Sequence, residues 1–114
     1  MVAGIVVAWL SVSRMTGSDA VSVSVSPTVA HEPARITIRV SVEPDSDNRA
    51  LDVITESKNF FRRSYRQLEG ERSARSSVFE YDGLPAGDYE IRVVLIAMDG
   101  TPGAIAVARM RIRP

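Results

Sequence analysis

Ala34-Arg35-Ile36-Thr37-Ile38-Arg39-Val40-Ser41-Val42 decides the fold. Ile36, Ile38, Val40 and Val42 alternate with Thr37, Arg39 and Ser41, and Pro44 ends the run. A period of two, with β-branched residues on one side, describes a strand half buried in a sheet. The same period extends toward the N-terminus, where Val21, Val23 and Val25 alternate with Ser22, Ser24 and Ser26 before Pro27. It also extends toward the C-terminus. Leu51, Val53 and Thr55 follow the turn-forming Asp45-Ser46-Asp47-Asn48, and Val78–Tyr81 form a further strand closed by Asp82-Gly83. Tyr89, Ile91, Val93 and Leu95 alternate with Glu90, Arg92 and Val94. Asp99-Gly100 marks a hairpin, with Thr101-Pro102-Gly103 lengthening its loop. The last strand carries Ile105 and Val107, then Arg109, Arg111 and Arg113 against Met110 and Ile112.

Residues 58–70 read two ways. Phe61, Tyr65 and Leu68 fall at helical spacing before Gly70, but Phe61, Arg63 and Tyr65 also alternate as an edge strand does. The strand is the preferred reading, with an irregular return through Glu69-Gly70-Glu71. The chain then holds about seven short strands and no long helix, which points to an antiparallel sandwich or barrel. Alternating βαβ units are missing, so a nucleotide-binding parallel sheet is not expected. Ile38, Val40, Val53, Ile91, Val93 and Val107 are the expected core.

The chain has 114 residues, enough for one ordinary domain. Its apolar fraction, 45%, is that of a globular protein, and its formal net charge is zero, so no overall field recruits nucleic acid or an anionic membrane. All of its basic residues except Lys58 are arginines. It has no cysteine, hence no disulfide framework, thiolate nucleophile or Cys-ligated metal. Val2–Val12 is an uncharged apolar run, too short to span a bilayer but the length of a signal-peptide core. Residues 1–19 are therefore expected to be an export or anchor segment plus linker, with a sandwich over residues 20–114. No basic segment precedes that run, and a first strand is the competing reading of it.

Leu84-Pro85-Ala86-Gly87-Asp88-Tyr89-Glu90-Ile91-Arg92-Val93 resembles the turn into the penultimate strand of fibronectin type III and bacterial immunoglobulin-like domains. The resemblance covers roughly residues 20–112. It implies an all-β, antiparallel immunoglobulin-like sandwich in which Leu84 and Tyr89 form a structural corner, the tyrosine hydroxyl bonding backbone a few residues upstream. It implies adhesion, scaffolding or ligand display and no activity of its own. The immunoglobulin cysteine pair is absent, and Trp9 lies in the leader.

No catalytic constellation emerges. His31 is the single histidine and stands in the Pro27–Pro33 connection, away from any nucleophile motif. Asp45, Asp47 and Glu56 suggest a calcium loop, but Arg49 and Ala50 occupy its fifth and sixth places, where a ligand and a glycine belong. No glycine-rich phosphate loop appears, since Gly83, Gly87, Gly100 and Gly103 all sit at expected turns. The expectation is a protein that is not an enzyme and takes no cofactor. Phe60, Phe61, Arg62, Arg63, Tyr65 and Arg66 form the densest set of contact-prone residues in the chain. If Phe61 and Tyr65 point inward, then Phe60 at the rim with Arg62 and Arg66 outward is the candidate partner-binding patch. The functional expectation is a non-catalytic exported immunoglobulin-like module that binds another envelope protein or a surface polymer, or else a structural spacer without a separable ligand. The expected partner is a protein or glycan at the cell envelope. Nucleic acid is not expected, and membrane contact would come only through an uncleaved N-terminal segment. The expected location is extracytoplasmic.

Overall fold

The computed structural model describes residues 20–114; the apolar run Val2–Val12 lies outside them. The described residues form an all-β sandwich of eight strands in two sheets. The strands are β1 (Val21–Ser26), β2 (Val29–His31), β3 (Ala34–Val42), β4 (Asn48–Ser57), β5 (Phe60–Gln67), β6 (Ser76–Leu84), β7 (Gly87–Ala97) and β8 (Pro102–Arg113). A 3-10 turn, Gly70–Arg72, makes the irregular return after β5. One sheet has the order β1-β3-β6 and the other β2-β8-β7-β4-β5.

The alternation of the sequence becomes the two faces of each sheet. Val21, Val23, Ile36, Ile38 and Val40 from the first sheet are 1% exposed or less, as are Leu51, Val53, Ile91 and Val93 from the second. These side chains meet in the layer between the sheets. Tyr89, Ala106, Ala108, Met110 and Ile112 complete that layer.

Three details differ from the sequence reading. Pro102 and Gly103 belong to β8 rather than to the hairpin loop. The short strand β2 pairs parallel with β8, Val29 opposite Arg111 and His31 opposite Arg113, so the architecture is not wholly antiparallel. Val107 lies outside the central core. In β8 the residues facing the other sheet are Ala106, Ala108, Met110 and Ile112, so alternation sends Val107 to the outer side, opposite Arg92 of β7. It is still only 9% exposed, because the middle of that outer face is itself apolar. Alanines rather than branched residues face inward there because β1 packs against β8 along this side of the sandwich.

Candidate functional site

The sandwich has two long sides where the sheets come together. β1 against β8 closes one. The other, between the edge strands β5 and β6, is closed by side chains. Phe79 and Tyr81 of β6 face inward at 7% and 5% exposure. The Arg66 guanidinium lies over the Phe79 ring at 4.2 Å and the Arg62 guanidinium over the Tyr81 ring at 4.7 Å. The Ser64 and Tyr81 hydroxyls share a hydrogen bond of 2.6 Å. Phe60 is half buried and tilts against Tyr89, ring centroids 5.7 Å apart.

This arrangement reverses the expected facing of β5. Phe60, Arg62, Ser64 and Arg66 lie on the side toward the first sheet, β1-β3-β6. Phe61 and Tyr65 point outward and are 63% and 62% exposed. The cause is the strand's position at an open side. Arginine can lay its apolar stem and flat guanidinium over a ring while keeping its edge in water, so an arginine caps this core where a phenylalanine would have to fill it. Of the candidate patch, Phe60 is therefore a packing residue, and Arg62 and Arg66 are caps on aromatic rings.

The outward face of β5 continues across β4. Register places Phe61 beside Glu56, Arg63 beside Ile54 and Tyr65 beside Asp52. Arg63 clasps Asp52 through two bonds, Nε to Oδ1 at 2.8 Å and Nη2 to Oδ2 at 2.6 Å. The Asp52 side chain is only 10% exposed, and the hydrogen-bonded Asp52 holds the Arg63 guanidinium above its ordinary pKa. The surface thus carries two large exposed aromatics on either side of a neutral ion pair. Composition singled out the segment, but its alternation was assigned to the wrong side.

Other groups named from the sequence lie elsewhere. Leu84 is fully buried, and Tyr89 is 2% exposed with its hydroxyl donating to the Pro85 carbonyl at 2.6 Å. Burial pushes the Tyr89 hydroxyl pKa up. Gly87 makes the close approach this corner needs, since a Cβ there would stand 3.2 Å from the Ser57 side chain. Asp45 accepts from the Asp47 amide at 2.8 Å and Asp47 accepts from the Met98 amide at 3.1 Å, so these carboxylates fasten turns. Arg109 and Arg111 line a groove of about 400 Å³ beside β2, and each is tied to an acid, Glu90 at 3.2 Å and Asp88 at 2.7 Å. Arg113 lines the same groove. His31 is exposed on β2.

No protein-family model matches the chain, and no curated protein matches it. Solved structures do share its fold. A superoxide reductase (neelaredoxin) from Ignicoccus hospitalis superposes with a TM-score of 0.53 at 13% identity, covering 82% of this chain and 79% of that one. The PmoD soluble domain from Methylocystis sp. (Rockwell) superposes with a TM-score of 0.57 at 9% identity, covering 81% and 90%. At these identities the likeness shows the fold alone. The expectation of a non-catalytic display module or an inert spacer is not what these structures offer: those that share the sandwich include superoxide reductases, which are enzymes.

The residues present do not fit a redox metal centre. Such centres draw on imidazole and thiolate ligands. This chain has one histidine and no cysteine, and the described residues contain no cluster of three or more His, Asp or Glu side chains. No step through a bound metal is derived for it.

Proposed function

We propose that this chain is the sandwich subunit of a redox- or metal-handling protein assembly, with the metal held by another component. It joins that component through the outward face of β5 and β4. One observation carries the reading: Phe61 and Tyr65 are both more than three-fifths exposed on a single face of an edge strand, around the Arg63–Asp52 pair. Exposed aromatic and arginine side chains in a cluster are the composition of protein contact surfaces. The link to redox chemistry comes from the superoxide reductases that share the fold. The mismatch between that chemistry and this chain's donors supports placing the metal on a partner. The apolar run Val2–Val12 supports a location outside the cytoplasm. The Tyr89–Pro85 corner supports an immunoglobulin-like course for the sandwich.

The test has two arms. The purified chain should hold no stoichiometric transition metal and should not consume superoxide. With a photo-crosslinking residue in place of Tyr65, cross-linking in the native host should yield an adduct with a metal-containing protein. The same group in place of Arg39, on the other sheet, should yield none. A purified chain that itself retains metal, or an adduct pool without a metalloprotein, overturns the proposal.

A further inference from the structure

β5 is the last strand of its sheet, and among the described residues no strand pairs with its outer side. The side chains that would ordinarily keep such an edge from pairing are committed elsewhere. Arg62 and Arg66 lie over Tyr81 and Phe79, and Arg63 is clasped by Asp52. No proline or bulge interrupts its register with β4.

The direction of the unpaired groups follows from one bond. The Leu68 amide donates to the Arg49 carbonyl on β4 at 2.7 Å. In an antiparallel ladder successive residues turn their N–H and C=O to opposite sides. Residues 60, 62, 64 and 66 therefore address β4. Phe61, Arg63, Tyr65 and Gln67 direct their main-chain groups away from the sheet. These residues also carry the outward-facing side chains.

From this geometry we infer that β5 pairs antiparallel with β5 of a second copy of the chain, about a two-fold axis at Arg63. The inference rests on the reading of β5 as a contact surface and deepens it: the second copy occupies the backbone edge of β5, and the joined outward faces of the two copies remain for the metal-holding component. Phe61 and Tyr65 stand two residues either side of Arg63, so the axis sets Phe61 of each copy opposite Tyr65 of the other. Aromatic pairs directly across a ladder are among the favourable cross-strand combinations. The parity agrees, since the outward backbone groups of Phe61, Arg63 and Tyr65 are those that would bond across the axis. The two Arg63 side chains meet as halves of neutral pairs, each with its own Asp52. A shift of one residue in this pairing would oppose inward-facing to outward-facing side chains. The two five-stranded sheets become one sheet of ten strands, an isologous arrangement that closes on itself.

Sedimentation equilibrium on the full chain tests the state, and cross-linking tests the register. The chain should sediment as a dimer at micromolar concentration. Phe61→Lys with Tyr65→Lys should weaken association at least about tenfold while leaving the far-ultraviolet spectrum and cooperative melting intact. The chain has no cysteine, so Arg63→Cys should be captured as a dimer by the shortest bis-maleimide, and Arg39→Cys should not. A monomer at every concentration, or equal capture at the two positions, overturns the pairing. A monomer that still gives the metalloprotein adduct overturns self-pairing alone. A dimer without that adduct overturns the assembly and leaves the pairing standing.

Discussion

The Arg66 guanidinium lies 4.2 Å from the centre of the Phe79 ring, across the gap between the last strands of the two sheets. This contact and its neighbour, Arg62 over Tyr81, make arginine part of the closure of the core. Replacing Arg66 with Ala should cost about 0.5–2 kcal/mol, the range of a partly desolvated cation–π contact. Tyr65→Ser, on the opposite side of the same strand, should change stability by less than about 0.5 kcal/mol. Urea unfolding of the two variants checks this, and equal losses would contradict the facing of β5.

Tyr89→Phe should cost about 1–3 kcal/mol. The substitution leaves the ring but deprives the Pro85 carbonyl of its donor. Thermal or denaturant unfolding reads the loss. An unchanged midpoint would mean that water replaces the hydroxyl at this corner.

Thr55 is fully buried on the core side of β4, and its hydroxyl has no hydrogen-bond partner among the described residues. Thr55→Val keeps the shape and removes the unpaired polar atom. It should stabilise the domain by about 1 kcal/mol, a rise in melting temperature of roughly 4–8 °C for a domain of this size. A fall in calorimetric melting temperature would reveal a hydrogen bond that the hydroxyl makes in solution.

Ile38→Ala removes a side chain from between the sheets and should cost about 2–5 kcal/mol. Val107→Ala, on the outer side of β8, should cost less, about 1–2 kcal/mol. Chemical unfolding of both variants checks the ordering, and the reverse order would place Val107 in the central core.

Arg35 and Asp82 form a two-point pair, with bonds of 2.8 and 3.0 Å, between β3 and β6. The hydrogen bond from Arg35 holds the Asp82 carboxyl below its ordinary range. A carboxylate depressed in the folded state adds stability above its unfolded-state pKa and loses that contribution as pH falls through the folded value. Both side chains are about two-thirds exposed, so the contribution is small and screened by salt. Arg35→Gln should return the Asp82 titration, followed by carboxyl NMR, to the ordinary aspartate range. Its stability difference from the parent chain should disappear in acid.

The regular strands were legible because their two faces differ. In β3 every other residue is β-branched and buried while the residues between are polar. In β5 both alternating sets mix aromatics with polar residues. The set with more aromatic surface, Phe61 and Tyr65, is the exposed one. Hydrophobicity alone assigns that strand backwards, since it counts an arginine as outward even where its stem covers a ring. In β8 the run Ala104-Ile105-Ala106-Val107-Ala108 is apolar on both faces, so the period carries no phase. The choice of alanine for the inner side depends on the proximity of β1, a tertiary fact. β2 has three residues and no period, and it exists as a strand only because β8 lies beside it.

The parallel pairing of β2 with β8 also sets how the domain would answer force. Pulling on Ala20 and Pro114 draws these two strands in opposite directions along their own axes. The bonds from the Arg111 amide to Thr28 and from the Glu32 amide to Arg113 would then be loaded together rather than opened in turn. A tension applied through the two ends meets a clamp in shear, while the same tension applied across β4 and β5 through their turn would unzip a hairpin. The shortest strand in the domain is thus the one placed to bear a longitudinal load.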